Sequence, residues 1–129
     1  MSQSRRLALW APVVAHMAFI FGLSSIHHPP SLPEVPGIGA DKLAHAALYG
    51  LLSVLIVRAM TGGWTRPISM TIAAVAVAWS VAYGASDEFH QSFVPPREVD
   101  AADLLADAVG ATIAAGVLYT GIIRPRHDL

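Results

Sequence analysis

The stretch S-D-E-F-H-Q-S-F-V-P-P-R-E-V-D-A-A-D-L-L-A-D, Ser86 to Asp107, is a polar island between two apolar runs. It holds six of the nine acidic residues (Asp87, Glu88, Glu98, Asp100, Asp103 and Asp107) but a single basic residue, Arg97, and the histidine His90. Glu34, Asp41 and Asp128 are the only acids elsewhere. A hydrophobic chain that gathers its acids in one place has a site there, or a strongly anchored loop.

The surroundings decide the class. Apolar residues make up 54% of the 129-residue chain and charged residues 13%, and the mean hydropathy is +0.54. Soluble domains carry about a quarter charged residues, so this is a membrane composition. The net charge of −1 argues against a nucleic-acid partner, which needs a basic face. The absence of cysteine excludes disulfides and thiolate chemistry.

A span needs roughly 20 mostly apolar residues, and four stretches meet or approach that length. The expectation is a single all-α domain over residues 1–129. It is a polytopic membrane bundle of four transmembrane helices, about 7–26, 43–60, 68–85 and 102–123, with polar outer loops. Trp10 is placed as an interfacial anchor, Pro12 falls in the first turns of its span, and His16 lies mid-span as a packed core histidine. A cleaved signal peptide is the rival reading of the first run, but the run is long for an h-region and lacks a clear A-x-A site. Residues 27–40 contain four prolines and two glycines, which rules out a regular helix. Asp41 is then read as the cap of the second helix. Thr61-Gly62-Gly63 ends that span, and Pro67 opens the third.

Basic residues set the orientation. Arg5, Arg6, Arg58, Arg66, Arg124 and Arg126 fall on one side, Lys42 and Arg97 on the other. An excess of basic residues marks the cytoplasmic side. Both termini are therefore expected in the cytoplasm, and the acid-rich connections face outward.

Residues four apart share a helix face. This aligns Asp41, His45 and Tyr49 on the second span, and Asp103, Asp107, Gly110 and Ala114 on the fourth. Asp107 lies more than one turn inside an apolar run, where a carboxylate costs several kcal/mol unless paired or protonated. It needs a partner, and His45, His90, Lys42 and Arg97 are on offer. Gly110, Ala114 and Ala115 allow another helix to approach closely at that depth. The expected pocket has Asp41, His45 and Tyr49 on one wall and Asp103 and Asp107 on another, with Asp87 to Gln91 closing it from above.

Three blocks carry a resemblance. D-K-L-A-H-A-A-L-Y-G (Asp41–Gly50), Y-G-A-S-D-E-F-H-Q-S-F-V-P-P-R (Tyr83–Arg97) and D-A-A-D-L-L-A-D-A-V-G (Asp100–Gly110) resemble, in order and spacing, the VanZ-like family of small integral membrane proteins. The matching polar positions are Asp41, Lys42, His45, Tyr49, Asp87, Glu88, Gln91, Arg97, Asp103 and Asp107. Pro96 departs from the pattern, since a glycine is expected in the turn before the arginine. The resemblance implies a bacterial envelope protein in the inner membrane, in a family whose founding member is linked to low-level resistance to the glycopeptide teicoplanin. It implies no defined reaction.

Two functions compete. In the first, the outward pocket binds a membrane lipid or a lipid-linked or cell-wall component, with Lys42, Tyr49, His90, Gln91, Arg97 and Asp103 as binding residues and Arg97 or Lys42 on a phosphate. In the second, the chain is a membrane-embedded hydrolase or transferase acting on such a component. Asp41, His45, Asp87, Glu88 and Asp107 then supply general acid and base, or hold a divalent metal. The D-x-x-x-H spacing of Asp41 and His45 suits two ligands on one helix face, completed by Glu88 or Asp107, although no established zinc motif is present. A proton-coupled transporter using Asp107 or His16 is a third class. The sequence leaves the cofactor, the metal and the oligomeric state open.

Overall fold

Four helices build the described part of the chain, residues 1–26, 39–93 and 100–121 of a computed structural model. They are α1 (Gln3–Ser24), α2 (Ala40–Met60), α3 (Met70–Gln91) and α4 (Ala101–Thr120), and the described residues contain no strand. Three of them, α1, α2 and α4, are long and apolar enough to cross a membrane. The third, α3, is 22 residues long and carries Asp87, Glu88 and His90 in its last turns.

The helix ends follow local chemistry. Ser2, Ser69 and Asp100 precede α1, α3 and α4, and each accepts a hydrogen bond from a backbone N–H of the first turn, which satisfies a donor that the helix itself cannot. Asp41 is not the cap of α2: Gly39 holds that position, without a side-chain bond. Asp41 instead lies in the first helical turn, where its charge still faces the positive end of the helix dipole. Pro67 precedes α3 rather than opening it, and Pro12 sits well past the first turn of α1. The carbonyl of Ala8 therefore lacks the N–H it would normally receive. Gly121 closes α4 in the left-handed region, φ 75°, as helix C-termini commonly do.

The largest departure from expectation concerns α3. It continues through D-E-F-H-Q to Gln91 instead of stopping at Ala85. Its buried residues, Ala73, Ala76, Ser80, Gly84, Asp87, Glu88 and Gln91, keep helical spacing throughout. One inward face thus runs unbroken from alanine into acid.

The helices run antiparallel in sequence, with α1 and α4 on opposite flanks of α2 and α3. One end of the bundle gathers Ser24, Lys42, Asp87 and Asp103. The other gathers Arg5, Gly62 and Arg66: Arg5 donates to the Gly62 carbonyl at 3.0 Å and Arg66 to the Met60 carbonyl at 3.0 Å. Between the ends, Val13, Ile20, Leu52, Ile56, Val57, Ala76 and Leu118 form the core. Trp10 stacks on Trp79 at 5.6 Å. Leu7, Phe19, Leu51, Leu105 and Ile113 point outward and are exposed, as the flanks of a bundle in lipid must be.

The tightest approach is between α2 and α4. A Cβ added to Gly110 would lie 2.6 Å from the Ala46 Cα, and one added to Gly50 would lie 3.2 Å from the Gly110 carbonyl oxygen. Lipid tails are as apolar as leucine, so burial gives little drive for helices to pair, and small residues that bring backbones together take its place. The close approach expected of Gly110 is present. Ser53 adds a hydrogen bond to the Ala111 carbonyl, 3.1 Å.

Candidate functional site

Lys42, His45 and Tyr49 form the polar stripe of α2, each facing a carboxylate. Spacings of three and four residues average to the helical repeat, so these three stay on one face. Two successive steps of four drift sideways, and Asp41 drops off the stripe. Its side chain is 64% exposed and meets Lys42 at 3.1 Å. The structure therefore does not bring Asp41 to the wall where it was expected.

At the outermost level the Lys42 ammonium holds three acids. It donates to Asp100 at 2.7 Å, to Asp41 and to Asp103. Asp100 lies outside the helices, and the Lys42 ammonium, followed by the Ala102 N–H, holds its carboxyl below the ordinary value.

One turn deeper, His45 Nδ1 lies 2.8 Å from Asp107 Oδ1. Asp107 is fully buried, and the partner it required is His45. A carboxylate only accepts, so with Asp107 ionised Nδ1 carries the shared proton and Nε2 of the neutral ring keeps its lone pair. That Nε2 faces Asp103 Oδ2 at 3.6 Å, too far for a hydrogen bond. Asp107 Oδ2 has no hydrogen-bond partner. It sits where a Cβ on Gly84 would come within 2.7 Å, so the missing side chain of Gly84 leaves room for the carboxylate.

Glu88 enters from α3. It is 5% exposed, and its Oε2 accepts the Asp100 N–H at 3.2 Å. Its Oε1 is buried without a hydrogen-bond partner. One donor atom each from His45, Glu88 and Asp103 lie within 4.8 Å of one another.

The deepest level is satisfied internally. Asp87 accepts from Tyr49, at 3.3 Å, and from Ser24, tying α1, α2 and α3 together. Ser24 was not singled out in the sequence, where a serine at the end of an apolar run gives no signal. Tyr83 donates to the Met17 carbonyl at 2.6 Å. His16 Nε2 lies 2.7 Å from the Leu48 carbonyl, the cross-helix hydrogen bond of a packed histidine. His90 turns to α1, with Nε2 at 3.1 Å from Ser25 Oγ and its ring on Phe21 at 4.5 Å, so it does not join His45. Gln91 is buried and Phe89 is 68% exposed. Arg97, Glu98, the prolines 95 and 96, the histidines 27 and 28, and the arginines 124 and 126 lie outside the described residues.

The described site residues fall within one family match. The VanZ/LLP1 family model covers residues 3–124. The chain belongs to the VanZ/LLP1 family. Comparison with curated proteins and with solved structures finds no match. Family membership and three apolar helices together make the chain a VanZ-like membrane protein. In this VanZ-like chain, Lys42, His45, Tyr49, Asp87, Glu88, Asp103 and Asp107 converge at one end of the bundle.

Proposed function

We propose that this VanZ-like protein crosses the bacterial inner membrane four times, with both termini in the cytoplasm, and that its outward pocket binds the polar head of a membrane lipid or a lipid-linked cell-wall component. The observation that carries this reading is Glu88 Oε1, buried without a hydrogen-bond partner beside His45 and Asp103. Leaving a buried acceptor unpaired costs about 1–3 kcal/mol, and ionisable groups at membrane depth are retained for function. Carboxylates and a neutral imidazole offer acceptors to the hydroxyl and amine groups of such a head. Lys42 is already held by three carboxylates, so Arg97 is the cation assigned to a phosphate. The orientation rests on the basic residues and predicts that a cysteine at Ser92→Cys reacts with an impermeant thiol reagent in intact cells. Reaction only after lysis reverses it.

The test of binding is native mass spectrometry of protein released from gentle detergent. The wild type is expected to retain a lipid or wall precursor that Glu88→Gln, equally folded by size exclusion, loses. A bare wild type, or the same species on both proteins, removes the reading.

The His45–Asp107 pair favours a second reading, a hydrolase or transferase acting on the same component. A carboxylate on Nδ1 fixes the ring and leaves Nε2 as a general base. Under that reading His45→Ala retains the bound component but stops its conversion.

A further inference from the structure

We infer that His45, Glu88 and Asp103 form the binding site of one divalent transition-metal ion of the zinc or manganese class. This goes beyond recognition of a headgroup and gives the unpartnered Glu88 oxygen a different partner.

Three independent features converge on the space between these side chains. The first is spacing. His45 Nε2 and Asp103 Oδ2 are 3.6 Å apart, too far to bond each other but close to the separation of two ligands on one ion. For ligands about 2.1 Å from a tetrahedral ion that separation is about 3.4 Å. The second is the orphaned oxygen of Glu88. It is more than nine-tenths buried, unpartnered, and its carboxylate lies within 4.8 Å of the other two donors. Buried polar atoms are almost always paired, and a cation is a partner that three neighbouring donor atoms can share. The third is orientation from behind. Asp107 holds His45 through Nδ1 at 2.8 Å, the carboxylate–histidine arrangement that fixes the ring of a metal ligand. The Asp100 N–H at 3.2 Å holds the other oxygen of Glu88, and Lys42 holds the other oxygen of Asp103. Each ligand thus has one atom anchored by a neighbour on the protein.

Charge and donor type define the ion. Two carboxylates and one neutral imidazole match a divalent charge, which matters where uncompensated charge is costly. A mixed nitrogen and oxygen set without sulfur suits zinc, manganese or ferrous ions better than copper(I), and the imidazole disfavours magnesium and calcium. Three protein ligands leave coordination positions open, as in catalytic rather than structural sites.

The test uses full-length protein purified in detergent with a tag that contains no histidine, stripped with chelator and dialysed against zinc or manganese. Elemental analysis is expected to find about one ion per chain, lost in Glu88→Gln and His45→Gln and kept in Asp100→Asn. Wild type that binds neither ion at micromolar concentration overturns the proposal. So does binding that survives Glu88→Gln and vanishes in His27→Ala/His28→Ala. Should the pocket variants fail to fold, X-ray absorption of the zinc-loaded wild type decides. A single imidazole among oxygen ligands supports the site, and two or more imidazoles exclude it. The metal test reads bound ion and the headgroup test reads bound lipid, so a negative result in either one leaves the other reading to its own measurement.

Discussion

The same two helices, α2 and α4, meet at two depths on opposite terms. Around Ala46, Gly50 and Gly110 backbone lies against backbone, with Ser53 satisfied by the Ala111 carbonyl. Toward the Lys42 end of the bundle they face each other through Lys42 and His45 against Asp103 and Asp107, and two buried carboxylate oxygens nearby have no hydrogen-bond partner. The first region is finished as packing; the second is not. The difference teaches that the glycine seam sets the distance and the polar level above it inherits that distance. A 2.8 Å contact from His45 to Asp107 leaves no slack for helices that part.

The largest effect should therefore come from the seam. In Gly110→Leu the new Cβ meets the Ala46 backbone, which cannot turn aside as a side chain would. Overpacking commonly costs 1–3 kcal/mol, and separating two helices exceeds that range, so about 3 kcal/mol or more is expected. The protein should fail to give a monodisperse peak in detergent. Gly50→Ala is the sharper comparison, because its Cβ meets the Gly110 carbonyl at 3.2 Å, and a few tenths of an ångström of movement absorbs that. Its melting temperature should fall by less than that of any Gly110 variant. Equal effects would mean that α2 and α4 are not held at Gly110.

The next effect lies in the polar level itself. His45→Ala leaves buried Asp107 without its hydrogen-bonded partner, at a cost of about 1–3 kcal/mol. Asp107→Asn keeps the shape and an acceptor for His45 while it removes the charge, and should cost less than His45→Ala. Thermal unfolding of the two variants side by side checks the order. If Asp107→Asn is the more damaging, the carboxylate serves the fold and the site loses its special standing.

Much of this arrangement was legible because its causes are local. Apolar length gave the helices, the cost of Asp107 in an apolar run demanded a partner such as His45, and Gly110 announced a close neighbour. The extension of α3 was missed because hydropathy ends at Ala85 while helical phase does not. Ser80, Gly84, Asp87, Glu88 and Gln91 continue one face, and periodicity carried past the apolar run would have found it. Asp41 was misplaced for the converse reason, since steps of four drift from a repeat of 3.6 and Lys42 takes its place on the stripe. The pairing of Asp87 with Ser24 depends on how α1 docks, which no local pattern encodes.

The smallest effect belongs to Asp100, where the polar level reaches water, and it separates exposed charge from buried charge. Asparagine caps a helix about as well as aspartate, so Asp100→Asn removes mainly the charge facing Lys42. The folded carboxyl is held below its ordinary value of 3.8 by Lys42. Its contribution to stability is therefore complete above that value and is lost as pH falls through the lower folded value. At neutral pH the variant should melt slightly below wild type, and the difference should shrink as pH falls below about 3.8 and vanish below the lower folded value. Because the side chain is 48% exposed, salt should shrink the neutral-pH difference. The loss in His45→Ala, made where water and counterions do not reach Asp107, should barely respond to salt. A salt-sensitive His45→Ala would mean that solvent enters to the depth of Asp107, and the two regions of the α2–α4 contact would no longer differ in kind.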